Sequence, residues 1–325
     1  MSHTHHPMPL ELAVKEHGVL GLIGRTPLVE LEKLSPNPRV RIFAKLEGQN
    51  PTGSIKDRIV LHMLSHAEEE GLIAPGDRIV EASTGNTGIA LAMIGNAAGY
   101  RATIVMPRNV YPEIPEILHA YGATIIWTEM EQGVHGAIGS ARRLAGEHGV
   151  FFLDQFGNDY NVQTHYLATG PEIYHDLPEI DVLVAGLGTG GTIMGIGRYL
   201  KERLPGIRLI AVEPHPGAQV QGLKSLADGF IPPILEPTFI DGKILVRAAS
   251  AFKGVRLLMH HEGIFGGVSS GATLQAALRV ARGMREGNIV VIFADGGWKY
   301  LRSRVFGRIE MEPAEAEQVD DTIWW

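Results

Sequence analysis

The chain contains no cysteine. That excludes disulfides, a thiolate nucleophile and zinc–thiolate centres. It contains no apolar run near the roughly 18 residues that span a bilayer, which argues against a membrane protein. Its start, MSHTHHPMP, lacks the apolar stretch of a signal peptide, so a cytoplasmic protein is expected. Positive charge is also short: 29 Lys and Arg stand against 36 Asp and Glu, a net charge of −7. A nucleic-acid groove is therefore not expected. Hydrophobic residues at 45% against 20% charged are enough for a sizeable core and exclude global disorder. The 325 residues suit two domains or one large one. No metal site is expected. His3, His5 and His6 read as a tag-like terminus, and His62 and His66 lack the glutamate a zinc-protease helix would need, since Met63 stands there.

What is present is alternation. Strand-like runs RIFAKLE, RIVEAS, RATIVMP, TIIWTE, FFLDQF, DVLVAGL, RLIAVEP and NIVVIFAD are separated by helical patterns. These lie near 54–70, 87–98, 112–121, 133–148, 192–203, 252–262 and 271–286. Such a pattern predicts an α/β protein with mostly parallel sheets covered by helices. The expected division is a large domain of 1–40 and 158–308, a smaller one of 41–157, and a tail of 309–325. The tail carries six acids and no base over 309–321 and ends in Trp324-Trp325.

Four segments carry chemistry. In Asn50-Pro51-Thr52-Gly53-Ser54-Ile55-Lys56-Asp57-Arg58 a lysine falls at a helix start, where the helix dipole disfavours its charge. Such an amine can form a Schiff base or carry a proton. Ser83-Thr84-Gly85-Asn86-Thr87-Gly88 offers hydroxyls and free amides at a strand-to-helix turn, which suits a carboxylate. Gly186-Leu187-Gly188-Thr189-Gly190-Gly191-Thr192 suits a phosphate. Taken alone, Gly186, Gly188 and Gly191, with Glu213 at the end of the next strand, equally fit a dinucleotide-binding fingerprint and a nicotinamide dehydrogenase. Gly266-Gly267-Val268-Ser269-Ser270-Gly271 opens a further helix, and Ser269 could face a buried ligand atom. Each loop alone is also what an ordinary capped turn looks like.

In this order the four segments resemble the cysteine synthases, pyridoxal-phosphate enzymes of fold type II, the tryptophan synthase β-like fold. The resemblance runs from about Leu22 to Leu301. It implies a pyridoxal 5'-phosphate cofactor bound as a Schiff base on Lys56, with Asn86 on the phenolic oxygen. It gives the cofactor phosphate to Gly188, Thr189, Gly190, Gly191 and Thr192, and the pyridine nitrogen to Ser269. Ser83, Thr84, Gly85, Thr87 and Gln155 are implied to hold the substrate carboxylate. The usual Thr-Ser order is reversed at Ser83-Thr84 here. The implied activity is β-replacement on an activated serine, through an α-aminoacrylate, to give L-cysteine. Asp295-Gly296-Gly297-Trp298-Lys299-Tyr300-Leu301 resembles more particularly the O-phosphoserine-dependent branch. Lys224 stands where that branch places a cation for the leaving phosphate, although lysine lacks arginine's bidentate fork. The branch further implies sulfide or a thiocarboxylated carrier protein as sulfur donor, a homodimer, and a C-terminal tail that closes over the site. Cystathionine β-synthase is the alternative within the cofactor class, and a serine or threonine dehydratase fits the asparagine loop less well. A non-catalytic partner of an acetyltransferase is the non-enzyme alternative.

Overall fold

The computed structural model describes residues 18–147, 149–216, 218, 220–303 and 321–324. His3, His5, His6, the acidic stretch 309–320 and Trp325 lie outside them. Contacts divide the described chain into two units, one of residues 18–24 and 50–161 and the other of residues 25–49 and those from 162 onward.

The first unit is built on a sheet of four parallel strands: β3 (Arg78–Ala82), β4 (Arg101–Pro107), β5 (Thr124–Thr128) and β6 (Val150–Phe152), in the order β5-β4-β3-β6. Its helices are α1 (Lys56–Glu69), α2 (Asn86–Ala98), α3 (Glu113–Ala120) and α4 (Gly133–Leu144). The two central strands are almost wholly buried, and apolar apart from Arg78, Glu81, Arg101 and Thr103, as suits a parallel sheet covered on both faces. Helix α2 is buried nearly all round, from Thr87 to Gly95, and shares a core with Ile59, Met63 and Leu64 of α1.

The second unit carries a seven-stranded sheet. Its strands are β1 (Leu28–Glu30), β2 (Val40–Leu46), β7 (Val182–Gly186), β8 (Arg208–Pro214), β9 (Gly242–Val246), β10 (Gly287–Phe293) and β11 (Asp321–Trp324). They lie in the order β1-β2-β10-β7-β8-β9-β11. The five inner strands are parallel, and each rim strand is antiparallel to its neighbour. The helices are α5 (Tyr160–Thr164), which begins in the first unit, α6 (Gly170–Asp176), α7 (Gly191–Lys201), α8 (Ala248–Leu257) and α9 (Val268–Gly283). A π turn, His165–Thr169, joins α5 to α6. Helices α8 and α9 touch backbone to backbone: a Cβ on Gly254 would lie 2.1 Å from Gly271 O, and one on Gly271 2.1 Å from Ala251 O. On β2, the buried Lys45 Nζ donates to Thr26 O at 2.6 Å and pairs with Glu172 Oε2 at 2.9 Å.

The expected α/β class with two parallel sheets is what forms. The strand bounds of RATIVMP and RLIAVEP coincide with β4 and β8. Other details differ from the reading of the sequence. Strand β2 was expected in the smaller domain, but it pairs with β10 from Val40↔Gly287 to Leu46↔Phe293 and so belongs to the larger sheet. FFLDQF forms a strand only as far as Phe152, because Asp154 takes a left-handed backbone (φ 53°) and its carbonyl accepts from Gly157 and Asn158. Aspartate tolerates that conformation better than most residues. The helical stretch from Tyr160 to Asp176 and the strands β1, β9 and β11 were not anticipated. Of the tail, residues 321–324 add to β9, from Asp321↔Leu245 to Trp324↔Gly242.

Candidate active site

In the first unit, Lys56 is the first residue of α1, half-buried, and its amide donates to Ser54 Oγ at 3.3 Å. The turn before it is closed by the buried Asp57, whose carboxylate accepts from Thr52 N at 2.7 Å and from the Thr52 hydroxyl. An acid in the first turn opposes the helix dipole there.

The loop after β3 is organised by Ser83. Its Oγ accepts from Gly85 N at 3.1 Å and from Gly88 N at 3.0 Å. Two acceptor lone pairs are thereby used, and the hydroxyl proton is left to donate. Thr87 donates through Oγ1 to Gln155 Oε1 at 2.7 Å, while Gln155 Nε2 donates to Ala82 O at 3.0 Å. Gln155 is fixed further by Asn161 Nδ2, which donates to its carbonyl at 2.7 Å. The fold thus brings Ser83, Thr87 and Gln155 together, with all three buried. Gly85 precedes α2, and Thr84 and Asn86 are half-buried beside it. Glu81, two residues before Ser83, is fully buried and accepts through Oε2 from Gln155 N at 3.2 Å. Burial pushes its carboxyl up to about 8.

In the second unit, β7 ends at Gly186 and α7 begins at Gly191. Between them Gly190 caps the helix with a left-handed backbone (φ 89°), and a Cβ there would meet Leu235 at 2.9 Å. A Cβ on Gly188 would lie 2.9 Å from Gly222 O. The loop therefore presents backbone at 188, 190 and 191 at the N-terminus of an eleven-residue helix, the arrangement that receives a phosphate dianion. Thr189 Oγ1 accepts from Gly191 N at 3.4 Å. Thr192 Oγ1 hydrogen-bonds His165 Nε2 at 3.3 Å, and His165 Nδ1 hydrogen-bonds Thr169 Oγ1 at 2.8 Å.

The turn at Gly222 links three predicted residues. It abuts Gly188, and a Cβ on it would lie 3.7 Å from Ser269 Oγ. Two residues on, Lys224 donates its amide to Leu187 O at 2.7 Å. The half-buried Lys224 amine has its pKa lowered, chiefly by loss of water and against the pull of Asp228. Ser269 is buried in the first turn of α9.

The dinucleotide alternative fails on Glu213. Its carboxylate is buried, accepting from Leu226 N at 2.9 Å and meeting Lys243 Nζ at 3.3 Å. A ribose would have to displace both. His62 and His66 pack edge to face at 4.4 Å, and His66 stacks on Tyr160 at 4.2 Å. The sequence reading passed over Glu81 and His165. Glu81 did leave a signal, as an acid inside a strand-like run that lies between two others, a place it shares with Asp154 and Glu213. His165 left none.

A family model described as pyridoxal-phosphate-dependent enzyme matches residues 19–295. The chain belongs to that family. It is 40% identical over 286 residues to cysteine synthase B of Escherichia coli (strain K12), covering 88% of this chain and 94% of the relative. The crystal structure of a cysteine synthase (OASS) from Entamoeba histolytica superposes with a TM-score of 0.84 at 35% identity, covering 96% of this chain and 95% of that one. That of an O-ureido-L-serine synthase gives 0.86 at 35% identity, covering 92% and 98%. The protein is a pyridoxal-phosphate-dependent enzyme of the cysteine synthase type, catalysing β-replacement. Taken separately, the glycine loop at 188–191 in the second unit has backbone that would suit a cofactor phosphate, and Lys56 in the first has an amine that would suit an aldehyde. Among the described residues no helix is long and apolar enough to cross a membrane.

Proposed function

We propose that this enzyme makes L-cysteine from O-phosphoserine in preference to O-acetylserine, with sulfide as sulfur donor. The reading assigns the cofactor's aldehyde to Lys56, its phenolic oxygen to Asn86, its phosphate to Gly188 through Thr192, and its ring nitrogen to Ser269. Pyridoxal phosphate, when bound, supplies an electron sink that lets a β-substituent leave and be replaced. The Lys56 amine then serves as the base that takes the α-proton. Serine at the ring nitrogen cannot protonate it as an aspartate would, which favours β-chemistry over transamination.

The substrate carboxylate falls to the loop around Ser83. Ser83 has a hydroxyl proton to give, because both its acceptor sites are filled from within the loop. Thr84, the amide of Thr87 and the second N–H of Gln155 complete the donor set, while the Gly85 amide is spent on Ser83 Oγ. Thr87's own hydroxyl is committed to Gln155 and so orients that amide.

The observation that carries the phosphate preference is Lys224. Its amide is tied to Leu187 in the glycine loop, and its amine is half-buried, where a cation gains most from an anionic partner. The leaving phosphate is that partner. An O-ureido-L-serine synthase among the solved neighbours makes the β-substituent the natural variable of this fold. The test measures kcat/KM for both serine esters with sulfide in the wild type and in Lys224→Ala. The variant should lose about tenfold to a hundredfold on O-phosphoserine, the worth of one charge-assisted contact of ~1.5–3 kcal/mol, and little on O-acetylserine. Equal losses on the two esters would remove Lys224 as the phosphate reader.

A further inference from the structure

Glu81 is an acid where the fold has room only for a strand core. It lies fourth in β3, fully buried. One carboxyl oxygen holds Gln155 N at 3.2 Å, and the other, Oε1, has no hydrogen-bond partner among the described residues. Few charges reach it. Helix α2 and strand β6 carry none. Strand β4 has only Arg101, at its far end, donating to Gly76 O. Arg78 of β3 itself pairs with Glu147 at 2.8 Å. On α4, Arg143 donates to Ser140, His135 lies in the first turn, and Arg142 reaches Asp154 at 3.7 Å. Asp154 is the charge that acts on Glu81, and it adds to the effect of burial.

We propose that Glu81 is a positioning residue for the amino-acid carboxylate: as a neutral acid it fixes Gln155, and once ionised it sets a second negative charge behind the loop that binds the anion. The inference rests on the reading of residues 83–87 and Gln155 as the carboxylate site. A neutral carboxyl lets the donors of Ser83 and Gln155 act on the substrate alone. Ionisation draws Gln155 toward Glu81 and repels the substrate. Amino-acid affinity therefore falls as pH rises through the titration of Glu81, near 8, while turnover of bound substrate is spared.

The experiment compares holoenzyme wild type and Glu81→Gln, an isosteric neutral mimic, from pH 6.5 to 9.5. The ratio of kcat/KM, variant to wild type, should rise about tenfold between pH 7 and 9, as expected for an ionised form that does not bind, and the ratio of kcat should stay level. In parallel, the infrared carboxyl band of wild type labelled with 13C-glutamate should be present at pH 7 and fade toward pH 9, a readout that needs no variant. Flat ratios with a band that fades in that window would overturn the coupling while leaving the carboxylate site intact. No protonated glutamate band at pH 7 would overturn the neutral acid. An unchanged amino-acid KM in Ser83→Ala would overturn the carboxylate site and this proposal with it.

Discussion

Replacing Gly190 by alanine tests the phosphate cradle through its backbone. Gly190 sits at φ 89°, a region that costs an L-residue roughly 1–2 kcal/mol. The new Cβ would also stand 2.9 Å from Leu235 Cδ1 and 3.0 Å from its Cβ. The first of these atoms can swing away, but the second is fixed to the backbone, so the loop must give. Overpacking of this kind costs about 1–3 kcal/mol. The sum is roughly 2–5 kcal/mol, and at about 2–4 °C per kcal/mol the apoenzyme should melt roughly 4–20 °C lower. The holoenzyme should fall further. Each tenfold loss in cofactor affinity removes another ~1.4 kcal/mol of ligand stabilisation when cofactor is in excess. Thermal unfolding with and without cofactor, and titration of the apoenzyme with pyridoxal phosphate, separate the two effects. An apoenzyme melting within a degree of wild type would refute the strain argument. Unchanged cofactor affinity in a destabilised variant would refute the assignment of the loop to phosphate.

Two further outcomes follow from residues beneath the carboxylate loop. Glu81 has its folded pKa raised from the usual carboxyl value of 4.5 to about 8, so the folded state holds the proton more tightly than the unfolded chain. Stability from this group is complete below about pH 4.5 and is lost as pH rises to about 8, in all on the order of 5 kcal/mol at ~1.4 kcal/mol per pH unit. Denaturant midpoints of wild type and Glu81→Gln should diverge across that window, with the wild type declining, and run parallel above it; parallel curves throughout would deny the shift. Ser83→Ala strands the amides of Gly85 and Gly88, which should lower stability by about 1–3 kcal/mol and raise the amino-acid KM. Ser83→Thr keeps the hydroxyl and should recover most of both.

The loops of the candidate site were legible as turns because glycines and hydroxyls gather where a strand hands over to a helix, where capping and anion binding both use them. Ser83, Asn86, Gly190 and Ser269 all fall where a strand hands over to a helix, or in the first turn of one. Strands β4 and β8 were legible because unbroken apolar runs between helical patterns suit a covered parallel sheet. The stretch 160–176 was not, since Gly170-Pro171 interrupts it and Leu167 faces solvent at 60%, which destroys the helical period. Partners across a sheet were equally hidden: nothing local in RIFAKLE announces β10 as its neighbour. Glu213 shows the opposite failure. Its spacing from the glycine loop fitted a ribose ligand, and only the tertiary placement of Leu226 and Lys243 revealed where the carboxylate is spent.

The contact between Gly254 and Gly271 governs how this protein can be edited. When two side chains collide, a neighbour can change rotamer or shrink. Here the obstacle on each helix is a peptide group, which has neither option. A library randomised at both positions should therefore return the parent pair, and evolution in the laboratory would have to slide an entire helix before it could replace either one.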